Sequence, residues 1–565
     1  MVFVMLGRVG RRDLVASATL GLAGVGIPLW MAAAAGAIGV PGNDDWVYMR
    51  AAGTLFRTGS VDMPGHSAAF IGQLVLVQPL LWLSGGDPWA FTAFGLVMAL
   101  IGIVSTYLLA RRFVGTGSAV MVVLLVLVFP GFARQTASFM TDVPAYAFVV
   151  LCLFLGTRWL QGEGGRVTLV ASLTAGLVAV SIREFAIAAP TTILVVAWAR
   201  NRADERAWLA GVSSILAAGL ATVLIISASM PGHRAAGALD FWPVSQIGSA
   251  FATLAAVLLP AVALGMGRRM ATLSPLHVIL AAGLVSLVIV VPAEALLGNL
   301  WDSYGNGGDG LLSGTRARVI GAGAWALSGQ LAWFAAILVA ALVLGWSQAT
   351  FSRASSLSAA TARAIQIARS REAPLLLFLA AYAAELVVYA FVDPLYDRYL
   401  YPMVPAAAIL LLRGSAEAVH FGRGRALAHA AFAWLAVSAF VIAANSFAYD
   451  AARYRGGEAA VAMGYDARTV DAGYEWVGYH ASGPGIPGSS SHALNWYDDY
   501  WPSLRLCALL SNNPVELSDF RLIRVDRSAY LLYLFFGPAE PLYLYGIVAD
   551  GCPPPPAAMV AAEAP

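Results

Sequence analysis

The chain has 565 residues, of which 59% are hydrophobic and 12% charged, with a mean hydropathy of +0.73 and a formal net charge of +2. A soluble domain carries about 25% charged residues, so this composition excludes both a disordered chain and a soluble globular one. So small a net charge creates no field that would gather polyanions, which excludes a nucleic-acid binder. A polytopic membrane protein remains, and because all 34 basic residues are arginine, every cationic side chain in it is a guanidinium.

A helix needs about 20 mostly apolar residues to cross a bilayer. In chain order the sequence predicts thirteen spans, at 14–38, 88–110, 118–131, 143–159, 167–182, 185–199, 208–230, 247–266, 276–297, 324–346, 374–391, 399–412 and 427–447. The fold class is therefore an all-α transmembrane bundle, followed by a small α+β domain. A further apolar stretch, 70–83, holds Gln73, Gln78 and Pro79 and reads as a helix lying on or dipping into the membrane surface. The first run follows Arg8, Arg11 and Arg12. Its apolar length exceeds the roughly 7–15 residues of a signal-peptide core, so it reads as a retained helix.

Arginine placement predicts the orientation. With the N-terminus inside, nineteen arginines fall in cytoplasmic segments and eight in the opposite loops before residue 448. That is the enrichment expected of cytoplasmic loops. The outer loops are then 39–87, 132–142, 231–246, 298–323 and 392–398, and the C-terminal part lies outside the cytoplasm. Carboxylates lean the other way, with six inside, thirteen in or beside the outer loops and thirteen in the C-terminal part.

From residue 448 the composition turns polar and aromatic, and no later run is long enough to span. Residues 448–552 are read as an extracytoplasmic domain and 553–565, PPPPAAMVAAEAP, as a disordered tail. The runs LIRVD and AYLLYLFF, then GPAEP, then LYLYGIV predict a hairpin. Cys152 falls inside a span, whereas Cys507 and Cys552 fall in the outer domain, where a disulfide is permitted.

Charged residues recur at the outer ends of the spans. The first outer loop contains GNDDWVYMR, with Asp44 and Asp45 just beyond the first span. A carboxylate pair there can remove a proton from an acceptor hydroxyl or hold a divalent cation. Alternatively, Asp44 or Asn43 caps the next helix. The second loop, FARQTASFMTDVP, places Arg134 before Asp142, with Thr141 as a rival cap. The turn SIREFAIAAP holds Arg183 and Glu184 at headgroup level, where a guanidinium can take a phosphate in bidentate fashion. FVDPLYDRYLYPMVP brings Asp393, Asp397 and Arg398 among Tyr396, Tyr399 and Tyr401. Glu385, inside the eleventh span, is expected to pair with an arginine. The loop 298–323, with Asp302, Asp309, Arg316 and Arg318 around GNGGDG, reads as a mobile lid.

A transporter or lipid flippase is the alternative, and it calls for polar residues near the midplane and repeated halves. The spans here are apolar apart from Glu385 and Glu294, and no repeat is visible. An O-antigen ligase or polymerase, which favours one large late outer loop, is the other alternative. Chemistry at the outer interface is the stronger reading.

With these residues in view, the chain resembles the GT-C superfamily of polyprenyl-phosphate-dependent membrane glycosyltransferases. The bacterial protein-mannosyltransferase-like and aminoarabinose-transferase-like branches are the most similar. The resemblance runs over 14–412 and rests on Asp44 and Asp45, the surface segment, LLARRFVG at the second span, Asp142 and DRYLYPMVP. It implies inverting transfer of a sugar from a polyprenyl-phosphate donor to a glycan, lipid or protein hydroxyl, outside a bacterial inner membrane. Asp44 or Asp45 then corresponds to the base and Asp142 to the second acid. Arg398 corresponds to the donor-phosphate ligand, with Arg183 and Arg134 as further candidates. Glu184, Asp397, Tyr399 and Glu385 are supporting residues. The first outer loop is short of the His and Glu residues that bind metal in some relatives; His66 is its one histidine.

Overall fold

The computed structural model describes residues 10–42, 44–61, 69–200, 205–229, 243–269, 273–290, 295–298, 322–351, 366–413, 422–481, 505–516, 518–530 and 540–555. His66, Glu294, Asp302, Asp309, Arg316, Arg318, most of the loops 231–246 and 298–323 and most of the tail 553–565 lie outside the described residues.

The first helices are α1 (Arg11–Ala35), α2 (Asp45–Thr58), α3 (Ile71–Ser84), α4 (Trp89–Arg111), α5 (Thr116–Leu127), α6 (Phe132–Thr136), α7 (Asp142–Leu160) and α8 (Arg166–Val180). There follow α9 (Ala188–Arg200), α10 (Arg206–Ser229), α11 (Pro243–Arg269), α12 (Pro275–Val288), α13 (Ala322–Phe351), α14 (Ala373–Tyr389), α15 (Met403–Leu412) and α16 (Gly422–Ala462). Each predicted span overlaps one of these. Among the described residues seven helices are long and apolar enough to cross a membrane, accompanied by six shorter apolar helices. The chain is a multi-pass membrane protein.

Burial sorts the helices by position. The spanning window of α7 is 83% buried and that of α10 only 11%, which makes α7 central and α10 peripheral. Small residues permit the close central packing: a Cβ on Gly102 would lie 2.5 Å from the Tyr146 ring, and one on Gly156 2.5 Å from Ile193. Leu22, Ile215, Ile225 and Leu287 are largely exposed. In a bilayer these outward apolar faces meet lipid and carry no penalty.

Polar side chains separate to the two ends. At one end Arg111 pairs with Asp13, Arg112 with Glu163, and Arg413 with Glu372. These are residues assigned to the cytoplasmic side. Arg200 there donates to the carbonyls of Leu160 and Ser370. The opposite end gathers the residues of the predicted outer loops.

Two helices fill the first of those loops. The α3 helix falls on the apolar stretch 70–83. It buries Gln73, Leu74, Val77 and Leu81 and leaves Val75, Trp82 and Leu83 exposed. The Gln73 side chain donates to the Phe139 carbonyl (2.7 Å), tying this helix to the second outer loop. The α2 helix is amphipathic, with Trp46, Tyr48, Met49 and Ala52 among its buried residues.

The last span does not stop where the composition changes. The α16 helix runs 41 residues, through the expected domain boundary at 447 and 448 to Ala462, and packs on the sheet beyond it. Composition registers the loss of apolar side chains, but the alanine-rich AYDAARY still favours helix. A four-stranded sheet follows, in the order β1-β2-β4-β3, with β1 (Val470–Asp471), β2 (Ala508–Ser511), β3 (Phe520–Tyr530) and β4 (Glu540–Ile547). The predicted hairpin is the antiparallel pair of β3 and β4. Cys507 and Cys552 form a disulfide across this unit, with Cα atoms 5.3 Å apart, and Cys152 is free and buried. A short helix α17 (Tyr474–His480) packs back against α2, where Trp46 meets Tyr474 edge-on at 5.5 Å.

Candidate active site

Four charged side chains from four separate segments meet at the end formed by the outer loops. Asp44 immediately precedes α2, and Asp142 is the first residue of α7. Arg183 ends the turn after α8, and Arg398 lies in a 3-10 turn, Asp397–Leu400, leading into α15. Asp142 sits between the two guanidiniums, 3.3 Å from Arg183 Nη2 and 3.3 Å from Arg398 Nε. Arg398 Nη2 also reaches Asp44 at 3.4 Å. The side chains of Asp142, Arg183 and Arg398 are 2–3% exposed, while that of Asp44 is 39% exposed. The cluster is thus a buried charge set with one carboxylate at its mouth.

Neither acid serves as a helix cap. Asp44 and Thr141 are the N-cap residues of α2 and α7, yet neither makes a side-chain capping bond. The Asp44 carboxylate faces Arg398 instead.

Tyrosines line the guanidiniums. Arg398 lies 4.4 Å from the Tyr396 ring centre and 5.5 Å from that of Tyr399, and Arg183 lies 5.0 Å from Tyr399. Tyr382 holds Tyr399 in place by donating to its carbonyl at 2.8 Å. Cation–π contact of this kind orients a guanidinium without occupying its N–H groups. Arg183 Nε and Arg398 Nη1 are buried and make no hydrogen bond, while Arg398 Nε faces Asp142 as an ion pair. Burial works against charge on Arg398, but the carboxylates of Asp142 and Asp44 more than offset it and hold the group firmly cationic. A buried cation with unused donors suits an anionic ligand such as a phosphate oxygen.

The remaining expected site residues have other positions. Asp45 is buried away from the guanidinium pair, where its carboxylate accepts from the N–H groups of Gly42 (2.5 Å) and Phe139 (3.4 Å). Burial pushes its carboxyl up to about 8, against the pull of Arg134. Arg134 is not in the cluster either. Its Nε and Nη2 both donate to Asp450, so the expected phosphate ligand is engaged in a buried ion pair. Asp397 accepts from the Arg398 N–H (2.7 Å) and shapes the turn that presents Arg398. Burial raises the Glu184 carboxyl, against the pull of the neighbouring Arg183. Glu385 corrects an expectation: among the described residues no arginine pairs with it, and its buried Oε2 has no hydrogen-bond partner. Leu386 turns inward while Val387 and Val388 face out, which leaves Glu385 half-buried between those two faces.

No group of three His, Cys, Asp or Glu side chains suited to a metal ion occurs among the described residues. Sequence reasoning overlooked Asp450, a lone acid near the end of a long apolar run. It also overlooked Gly42, whose role depends on a neighbour 92 positions away in the chain.

Residues 75–230 match the family model described as dolichyl-phosphate-mannose-protein mannosyltransferase. The likeness is to membrane glycosyltransferases. The mannosyltransferase-like segment carries Arg134, Asp142, Arg183 and Glu184, while Asp44 and Arg398 fall outside it. Among solved structures, ArnT from Cupriavidus metallidurans bound to undecaprenyl phosphate aligns over 97% of this chain and 100% of that one, at 14% identity and a TM-score of 0.42. ArnT from the same organism in the apo state aligns over 77% and 79%, at 16% identity and a TM-score of 0.33. No curated protein matches the chain.

Proposed function

We propose that this chain is an inverting membrane glycosyltransferase, which moves a sugar from a polyprenyl-phosphate donor to a hydroxyl acceptor with Asp44 as general base. The observation that carries the reading is the shared Arg398, placed between an exposed carboxylate and a buried one. The mannosyltransferase match over residues 75–230 supports the same reaction class.

In this reading the acceptor oxygen attacks the anomeric carbon and its proton passes to the Asp44 carboxylate. The bond between that carbon and the phosphate oxygen breaks, and its electron pair leaves with the polyprenyl phosphate. Negative charge therefore grows on the phosphate as the bond lengthens. Arg398 and Arg183, fixed in a low-dielectric site, stabilise that charge more in the transition state than in the ground state. Asp142 keeps the two guanidiniums close together while no phosphate is bound. In this reading the site faces the extracytoplasmic side of a bacterial inner membrane; the arginine asymmetry supports the orientation, with the N-terminus cytoplasmic and the C-terminal unit outside.

The test is a deletion strain whose cell-envelope glycans are profiled by mass spectrometry, complemented with the wild-type gene or with Asp44→Asn. The strain is expected to lose one sugar modification. The wild type should restore it, and Asp44→Asn should not, although it accumulates in the membrane normally. Full restoration by Asp44→Asn would overturn Asp44 as the base.

A further inference from the structure

Arg134 and Asp450 are 316 residues apart in sequence and form a buried ion pair outside the guanidinium cluster. Their side chains are 7% and 8% exposed, and two guanidinium nitrogens of Arg134 converge on one Asp450 oxygen at 3.1 and 2.6 Å. The Phe447 ring, one turn earlier on α16, lies 5.0 Å from the same guanidinium. Around them Met31, Ala32, Ala37, Ala137, Ala444 and Phe447 pack together, so the end of α1, the second outer loop and α16 meet here.

The backbone that leads to Asp44 lies directly against this pair. A Cβ on Gly42 would stand 1.5 Å from Arg134 Nη2 and 2.7 Å from Asp450 Oδ2. The Gly42 N–H in turn donates to Asp45, whose other oxygen accepts from Phe139 in the second outer loop. A continuous series of contacts therefore runs from α16, which continues into the sheet unit, through Asp450 and Arg134 to Gly42, Asp45 and the neighbouring Asp44.

We infer that Arg134 is a positioning residue: paired with Asp450, it couples the C-terminal unit to the loop that presents Asp44. A buried ion pair adds little net stability over an apolar pair of the same shape, but it is directional. Here the direction points the loop at Arg398. The inference rests on the reading of Asp44 as the base.

The test uses the full chain in lipid nanodiscs and in the complemented deletion strain, with Asp450→Asn, Arg134→Met and Arg134→Lys. Deuterium uptake by residues 37–50 is expected to rise in Asp450→Asn and Arg134→Met. Binding of undecaprenyl phosphate, read by native mass spectrometry, should stay within about twofold of wild type. The glycan product should fall at least tenfold, and Arg134→Lys should recover part of it. This separation of lost product from retained binding would not come from general destabilisation. If Asp450→Asn fails to accumulate, Arg134→Lys carries the same test, with an intermediate rise in uptake and an intermediate loss of product. Unchanged uptake and product in these variants, with Asp44→Asn inactive, would overturn the coupling and leave the transferase reading standing. An active Asp44→Asn would overturn both. A tenfold loss of undecaprenyl phosphate binding in Arg134→Met would make Arg134 a donor ligand and also overturn the coupling.

Discussion

Asp142→Asn separates the electrostatic role of the cluster from its stability. The substitution keeps the side-chain shape and removes one charge from between two guanidiniums, each 3.3 Å away and almost wholly buried. At an effective dielectric constant near 20, a pair at that distance is worth about 5 kcal/mol. Desolvation offsets much of this, and breaking buried pairs in practice costs about 3–5 kcal/mol. Arg183 and Arg398 would then repel each other with no opposite charge between them. The variant should therefore melt well below wild type in nanodiscs. Below that melting point it should bind undecaprenyl phosphate as tightly as wild type or more tightly, because Asp142 competes with a phosphate as the counter-ion of the same guanidiniums. Added undecaprenyl phosphate should raise its melting temperature more than it raises that of wild type. Native mass spectrometry and thermal melting at several lipid concentrations measure both effects. A variant as stable as wild type that no longer binds the lipid would refute the reasoning, since Asp142 would then act as a ligand and not as a counter-ion.

Arg398→Lys keeps the charge but not the planar fork that spans Asp142 and Asp44, so undecaprenyl phosphate binding should weaken by about tenfold or more. Equal binding by native mass spectrometry would count against a guanidinium-specific site. Asp45→Asn tests the buried carboxyl, whose value near 8 lies above the ordinary 3.8. The sign follows: the unfolded chain loses this proton near pH 4 while the folded protein keeps it. Wild-type stability from this group is therefore full below about pH 4 and declines as pH rises to about 8. Each unit is worth about 1.4 kcal/mol, so the gap between wild type and Asp45→Asn should change by several kcal/mol across pH 4–8, in favour of the variant. Melting curves against pH check it, and parallel curves would refute it. The disulfide closes a loop of 45 residues, for which chain entropy gives about 4 kcal/mol. Cys507→Ser should loosen the sheet unit and speed deuterium exchange in β2 and β4, with the spans unaffected.

Much of this architecture was legible from one-dimensional information. Apolar length located every span that the described residues test, and the hairpin of β3 and β4 followed from alternating aromatic runs around a Pro/Gly turn. Asp44, Asp142, Arg183 and Arg398 were recognisable as charges at span ends, where lone ions are costly. Their partners were not. Arg134 looks like Arg183 in sequence, each an arginine in a short loop beside a span, yet one pairs with Asp450 and the other with Asp142. Asp44 and Asp45 are adjacent and chemically identical, but the start of α2 sends one to the mouth of the cluster and the other into the backbone of two loops. Glu385 was expected to find an arginine because isolated charge in a span is expensive. Among the described residues no arginine reaches it, and it stays half-buried with its Oε2 unpartnered.

Hydrophobic run length and arginine bias determined the membrane class, the places of the apolar helices and the proposed orientation, because each depends only on local transfer of side chains between water and lipid. Which acid faces which guanidinium, and the continuity of α16 from the bundle into the sheet unit, were decided only in three dimensions. Charge pairing at this site depends on segments hundreds of residues apart coming within 4 Å, and nothing local in the chain encodes that distance.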